Sequence, residues 1–374
     1  MITNIRFLIA AASFVNLTGI AAAQAILFEV FPKTYVAYRA TGPVNLDGNL
    51  DEPCWQHTPW TNEFQDIEGT PKPAPLYSTK VKMLWDDQYL YIAAKLEEPH
   101  IWGTFTERES IIFHENNFEV FIDPDGDTHN YYELQINALG TIWDLMLTSP
   151  YRNGGLPINA WDVAGFGFGI QLHGTLNNPS DIDSMWVIEM AFPLEVLAEA
   201  APGKRMPRPG DQWRINFSRV QWQLNVVDGQ YQKRRNPETG RPLAEYNWVW
   251  SPQHVIDMHR PELWGYVQFS RQRVGTGTEP FTEKPEERLK FALGELYYLQ
   301  HTFYWKHNRF AENLLELKPD NPELFKPFQI SFDVSRSRFR LSAPCPTGRG
   351  NWHIAEDSRI WKTLGHIYER SMFY

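Results

Sequence analysis

The chain has 374 residues, 43% of them hydrophobic and 14% aromatic, with 15 Trp, and its formal net charge is −10. That length and apolar content suffice for a full core, which excludes a disordered or fibrous protein. The acidic balance, with no basic stripe, argues against nucleic acid or an anionic membrane as partner, because each requires a concentrated positive footprint.

The amino end, MITNIRFLIAAASFVNLTGIAAAQA, has one Arg, a short interrupted apolar run and an Ala-x-Ala ending at Ala23-Gln24-Ala25. This is the pattern of a secretory signal peptide over residues 1–25, so export is expected. No later stretch approaches the roughly 20 apolar residues of a membrane span, and no transmembrane segment is expected. Only Cys54 and Cys345 are present. Export permits a disulfide between them without dictating one, and no CxxC supports a thiolate metal site.

From residue 35 to 270 the chain reads as short strands punctuated by Gly, Pro, Asn and Asp. Alternation is clear in KVKMLW, YYELQIN, MWVIEMA and QWRINFSRV, where apolar residues recur at every second position. No long amphipathic helix intervenes, so the expected class is mainly β, an antiparallel sandwich or barrel. Trp55, Trp85, Trp186, Trp213 and Trp264 fall at packing positions of these strands and turns. Residues 271–285 read as a Gly/Thr/Pro-bearing linker. Beyond it, Leu289, Ala292, Leu293, Leu296, Leu299 and Phe303 recur at three and four, and alternation returns in FQISFDVSRSRFRLSA. Residues 286–374 are therefore expected to form a small α+β unit with a helix and a two- or three-stranded sheet. That unit is either a packed appendage or a docking module for a protein partner.

Successive side chains of a strand point to opposite faces, so the residues between the apolar ones share the other face. These are Glu119; Glu133, Gln135 and Asn137; Asp144; Glu189; and Arg214 and Asn216. Carboxylates, amides and an Arg near aromatic rings supply what the vicinal hydroxyls and apolar ring face of a sugar require. A solvated face with cross-strand ion pairs explains the same letters. In the turn DPDGD, Asp123, Asp125 and Asp127 alternate so that their oxygens can converge on a hard cation, or the turn uses Asp and Gly only for their backbone tolerance. A pair of the face carboxylates could also serve a glycoside hydrolase, which needs two carboxyls about 5 to 9.5 Å apart.

The segments LDGNLDEPCW, LWDDQYLYIAAKLEEP and NNFEVFIDPDGDTHNYYELQINALGTIWD, followed by WVIEMAFPLEVL, GDQWRINFSRVQW, NWVWSP and MHRPELWGYVQFS, resemble in type and order the family 9 carbohydrate-binding modules of secreted bacterial carbohydrate systems. The resemblance spans residues 35–270. It implies an immunoglobulin-like β-sandwich, a mono-, oligo- or polysaccharide held in an aromatic slot, structural calcium, a periplasmic or extracellular place in carbohydrate catabolism, and no catalysis. Glu119 matches the family's carboxylate. Phe113, six positions before it, stands where the family has Trp, and Gln135 stands where it has Arg. Phe is a weaker platform and a neutral amide lacks the charge-assisted fork of Arg, so the departures bear on the family's reducing-end specificity. Candidates for the second wall are Trp222, Trp250 and His259, with Arg219 beside them. The expected contacts are thus hydrogen bonds from Glu119, Gln135, Asn137 and Arg219 and stacking from Phe113, Trp222 and Trp250. A short stretch of residues 286–317 resembles the helix and loop of pilin-like exported subunits.

Overall fold

A computed structural model describes residues 31–364; the expected signal peptide at 1–25 lies outside the described residues. The strands in chain order are β1 (Thr34–Arg39), β2 (Gln65–Asp66), β3 (Thr79–Trp85), β4 (Tyr89–Glu97), β5 (Asn117–Asp123), β6 (Tyr131–Asn137), β7 (Ile142–Leu147), β8 (Pro157–Ile158), β9 (Gly167–His173) and β10 (Met185–Pro193). They continue as β11 (Gln212–Gln221), β12 (Leu224–Val227), β13 (Gln230–Lys233), β14 (Tyr246–Val249) and β15 (Gly265–Arg273). One layer runs β8-β7-β6-β5-β11-β15, with β14 and β2 continuing from β11, and the other runs β3-β4-β10-β9.

β1 joins the layers. Its first half pairs parallel with β15 from Thr34↔Tyr266, and its last two residues pair parallel with β3 at Tyr38↔Leu84 and Arg39↔Trp85. The register slips between Ala37 and Arg39, and there one strand changes sheets. The other pairings of the sandwich are antiparallel. This is the expected immunoglobulin-like antiparallel β-sandwich with a small C-terminal α+β unit, and β1 supplies its only parallel contacts among the described residues.

Alternation places Phe118, Val120 and Ile122 of β5, Tyr132, Leu134 and Ile136 of β6, and Trp213, Ile215 and Phe217 of β11 on the inner face. They share one buried cluster with Val81, Met83, Leu90, Ile92, Ile188 and Met190 of the opposite layer. Each such side chain contributes about 1.5 to 3 kcal/mol by leaving water. Trp250 belongs to this core with no exposed surface. Its indole occupies the space over Gly265, where an added Cβ would meet Trp250 Cζ3 at 2.3 Å.

The helix α1 (Glu287–His307) ends at Asn308, whose φ of 53° lets the chain turn out in the left-handed region. It lies on a four-stranded antiparallel sheet, β16 (Ser331–Val334), β17 (Phe339–Pro344), β18 (Asn351–Ala355) and β19 (Ile360–Thr363). The fourth strand, paired at Ile354↔Ile360, is too short to display alternation in the sequence. Leu289, Leu293 and Leu296 of α1 cluster with Leu341 and Ile354 of this sheet and with Leu263 and Tyr266 of the sandwich, so the two parts share a core. Residues 271–285 are held against the sandwich, with Glu279 N donating to Tyr38 Oη at 2.9 Å and Thr282 N donating to Gln268 Oε1 at 2.9 Å. Cys54 and Cys345 are both buried free thiols.

Candidate functional site

The outer face of β5, β6 and β11 carries the polar residues. Register sets Glu119 opposite Gln135 on one side and Ser218 on the other, with Asn117 opposite Asn137 and Glu133 opposite Phe121. Glu119, Glu133, Gln135 and Asn117 are 4%, 4%, 3% and 1% exposed, unlike a solvated sheet face. Asn117 Nδ2 donates to Glu119 Oε1 at 3.3 Å and Gln135 Nε2 donates to Glu133 Oε1 at 2.6 Å. The amide nitrogens are thus turned to the carboxylates. Asn117 Oδ1 and Gln135 Oε1 are left buried without a hydrogen-bond partner among the described residues. Buried polar atoms are ordinarily paired, and these two orphan acceptors lie on adjacent strands.

Burial, with Glu133 adding its charge, pushes the Glu119 carboxyl up to about 8. Burial likewise raises Glu133, opposed by His259. His259 stands at the end of this group: its Nε2 is 3.9 Å from Glu133 Oε2, its Nδ1 is 2.9 Å from the Tyr131 hydroxyl, and the Tyr151 ring meets it edge-on at 4.6 Å. The structure therefore places Glu119, Gln135 and His259 in one group with Asn117, Glu133 and Ser218.

Aromatic rings flank the group. Phe113 sits in a single 3-10 turn, Ile112–His114, and is 36% exposed. Trp222 donates its Nε1 to Phe113 O at 3.0 Å and its backbone N to Asn116 Oδ1 at 2.7 Å, which ties Trp222 to the turn that carries Phe113. The Lys233 ammonium lies 3.4 Å from the Trp222 ring centroid and covers one of its faces. Trp143, opposite Gln135 in register, lies 6.2 Å from Phe113. Trp143 and Tyr151 are the aromatic residues that sequence reading missed. The signal for Trp143 was present, since strand parity puts it and Asp144 on opposite faces.

Of four further expected positions, three fall elsewhere and one is committed to other partners. Asn137 shares the face, but its Nδ2 donates to Glu115 Oε1 and Phe105 O, and its Oδ1 accepts from Leu139 N and Thr141 N. Its capacity is spent on holding loops. Arg219 points inward at the sandwich rim, where it binds Glu98 Oε2 at 3.1 Å, Glu97 O at 2.7 Å and Thr79 Oγ1 at 3.0 Å. Trp250 is core, as described above. Asp144 turns inward on β7 and accepts from Val163 N at 2.7 Å. Beyond these, Glu189 belongs to the other layer and ties down the turn before Trp55, accepting from Trp55 Nε1 at 2.6 Å and Gly48 N at 2.8 Å. Arg214 and Asn216 lie on the expected face but under the C-terminal unit and the β14–β15 connection, with Arg214 Cζ 3.6 Å over the Tyr266 ring and Asn216 Nδ2 donating to Ser251 O at 2.8 Å. Of the face carboxylates offered for a hydrolase, only Glu119 and Glu133 remain neighbours.

In the β5–β6 turn, one carboxylate oxygen from each of Asp123, Asp125 and Asp127 lies within 4.8 Å of the others. Asp123 accepts from Gly126 N at 2.9 Å and Thr128 N at 3.0 Å, so the turn is also a backbone device. Burial and the neighbouring carboxylates raise Asp123 well above its usual range and Asp125 to about 6. Three hard oxygens whose mutual repulsion resists ionisation fit a cation of calcium type. Arg359 Nε, 3.2 Å from Asp127 Oδ2, already neutralises part of that charge. A second acidic group, Glu109, Asp144 and Asp162, contains its own cation, with Arg108 Nη2 2.9 Å from Asp162 Oδ1.

Residues 46–207 match the family described as carbohydrate family 9 binding domain-like, and over that span the chain is family-9-like. Among solved structures, the chain is similar to a putative carbohydrate-binding protein from Bacteroides uniformis at 13% identity and TM-score 0.46, over 64% of this chain and 100% of that one. It is also similar to a carbohydrate binding module family 9 from Caldicellulosiruptor kristjanssonii in complex with cellotriose, at 14% identity and TM-score 0.39 over 67% of this chain and 100% of that one. The glucose complex of that module gives 16% identity and TM-score 0.39 over 66% and 100%. No curated protein matches the chain.

Proposed function

We propose that this family-9-like protein binds a saccharide on the outer face of β5, β6 and β11, between Phe113 and Trp222 at one end and His259 at the other. The observation that carries the reading is the pair of buried, unpartnered acceptors, Asn117 Oδ1 and Gln135 Oε1, beside Glu119 and a row of partly exposed rings. Sugar hydroxyls would donate to the acceptors, and the ring faces would cover the C–H side of the pyranose. Export as a periplasmic or extracellular protein acting in carbohydrate catabolism follows from the signal-peptide pattern together with this reading. Among the described residues no helix is long and apolar enough to cross a membrane.

Calcium belongs to the same proposal. Asp123, Asp125 and Asp127 would hold it and so fix the turn that ends β5, and its charge would relieve the repulsion among the three carboxylates. Chelation should then lower the melting temperature, and added calcium should restore it. An unchanged melt would remove the ion from the account.

Titration of the mature protein against a panel of oligosaccharides tests binding. Phe113→Ala and Trp222→Ala should each weaken the best ligand by about 1 to 3 kcal/mol, the range for losing a buried aromatic contact. Unchanged affinity in both variants would move the site off this face. Release of reducing ends that disappears in Glu119→Gln would instead establish hydrolysis by Glu119 and Glu133.

A further inference from the structure

The acidic turn between β5 and β6 does not stand free of the C-terminal unit, whose β18–β19 turn is hydrogen-bonded to it. Ile360 N donates to Asp127 O at 3.2 Å, the Thr128 hydroxyl donates to Ser358 O at 3.1 Å, and His129 Nε2 lies 3.4 Å from Asp357 Oδ2. Thr128 and Ser358 are both buried. The β18–β19 turn is shaped by its own backbone. Ser358 takes a φ of 71° in the left-handed region, Arg359 N donates to Asp357 Oδ1 at 3.0 Å, and Ala355 N donates to Arg359 O at 3.1 Å. That geometry delivers the Arg359 side chain to the acidic turn, with Nε 3.2 Å from Asp127 Oδ2.

Other basic groups near the turn are engaged elsewhere. Arg214, whose Cγ lies 3.4 Å from a Cβ placed on Gly126, donates to Trp264 O at 2.8 Å and to Glu262 O at 3.2 Å. In the cavity that Asp125 lines, Lys290 pairs with Glu287 at 2.9 Å, Arg205 pairs with Asp211 at 2.6 Å, and Lys284 has Glu287, Asp211 and Glu286 as its acidic neighbours. Arg359 is therefore the cation that the three aspartates meet, through Asp127. The other oxygen of Asp127 accepts from His129 N at 2.8 Å, so the carboxylate has a donor on each side. A divalent cation drawn to Asp123, Asp125 and Asp127 shares the last of them with a guanidinium, and two like charges on one carboxylate repel.

We propose that Arg359 sets the calcium affinity of the acidic turn: the C-terminal unit places a competing cation on Asp127, so calcium is held less tightly than by the three aspartates alone. The proposal rests on the calcium reading of this turn and adds what governs it. Coupling of this kind is reciprocal, so calcium loosens the Arg359–Asp127 contact by the same factor. The bonds from Thr128 to Ser358 O and from Ile360 N to Asp127 O join uncharged groups, and they keep the two turns together while that contact opens. Arg359 acts on the ion through Asp127 and is a positioning residue, not a ligand.

The test is calorimetric titration of the full chain, stripped of divalent ions, with calcium chloride at low ionic strength, in the wild type and in Arg359→Lys, Arg359→Gln and Arg359→Glu. Affinity should follow the charge of the side chain. Arg359→Gln should bind calcium about threefold tighter than the wild type, Arg359→Glu tighter again by about the same factor, and Arg359→Lys within about twofold of the wild type, on the scale of a partly exposed ion pair. Salt at about 1 M, which screens charges beyond about 3 Å, should narrow the series. A merely structural Arg359 would give the opposite result, since loss of its contact would loosen the turn and weaken calcium in Arg359→Gln and Arg359→Glu alike. Equal affinities across the series, or affinities that fall from Arg to Gln to Glu, overturn the proposal while leaving the calcium site standing. Absence of calcium binding in the wild type and every variant, in protein whose near-ultraviolet circular dichroism shows it folded, overturns the calcium reading and the coupling with it.

Discussion

Glu119 is a carboxyl that the fold keeps from ionising. Burial holds it up to about 8, whereas in an unfolded chain the same group ionises at about 4.3. Between those values the folded chain retains a proton that the unfolded chain has released, so stability falls as pH rises through this window. Glu119→Gln removes that contribution. Its melting temperature should match the wild type near pH 4 and exceed it at pH 8, by a margin that grows through the window. Thermal melts at a series of pH values check this, and parallel curves for the two proteins would refute it. A residual slope of the same sign should persist in the variant, since burial also raises Glu295 to about 8 and Glu189 to about 7.

Strands were readable because alternation with a buried face leaves a period of two in the sequence, and β3, β5, β6, β10 and β11 all show it. Which polar residue faces the ligand was only partly readable. Glu119 and Gln135 followed from parity in the middle of their strands. Arg219 did not, because β11 runs out to the sandwich rim, where an inward guanidinium finds Glu98, Thr79 and backbone carbonyls instead of apolar side chains. Asp144, expected on the polar face, is turned inward by its parity with Leu134 and accepts from Val163 N there. Trp250 resembled a slot residue by its neighbours in sequence, and only the packing over Gly265 shows it to be core. Trp250 and Phe113 should therefore respond in opposite ways to truncation. Trp250→Ala should cost about 3 to 5 kcal/mol of stability, as for other buried Trp and Phe truncations, and Phe113→Ala should change stability by less than about 0.5 kcal/mol while weakening saccharide binding. Chemical denaturation with titration of the folded protein measures both, and a destabilised Phe113→Ala with intact binding would reverse the assignment.

The change of composition after residue 270 announced a second unit, but no local pattern could show how it meets the first, because the contacts join residues far apart in sequence, Asn153 to Tyr297 and Ser358 by more than a hundred positions. Tyr297 donates to Asn153 Oδ1 at 2.6 Å, and Asn153 Nδ2 donates to Ser358 Oγ at 2.8 Å. Arg260 Nε donates to Tyr298 Oη at 2.9 Å. Against the burial that would raise it, Arg152 and Arg260 hold the Glu262 carboxyl below its usual range, so the network keeps its charges paired out of water. Removing one side of such a network leaves the other buried or newly exposed without partners, a loss typically of about 3 to 5 kcal/mol for a broken buried pair. The same Arg152 donates to His259 O, and Tyr151 beside it packs on the His259 ring, so the C-terminal unit braces one end of the binding face through a single loop. A chain ending at residue 285 would uncover Leu263 and Tyr266 as well. It should melt with reduced cooperativity, bind a hydrophobic dye, and lose saccharide affinity even in its folded fraction. A truncated chain with a sharp melt and full affinity would show that the sandwich stands alone and that the shared network serves only to seat the C-terminal unit.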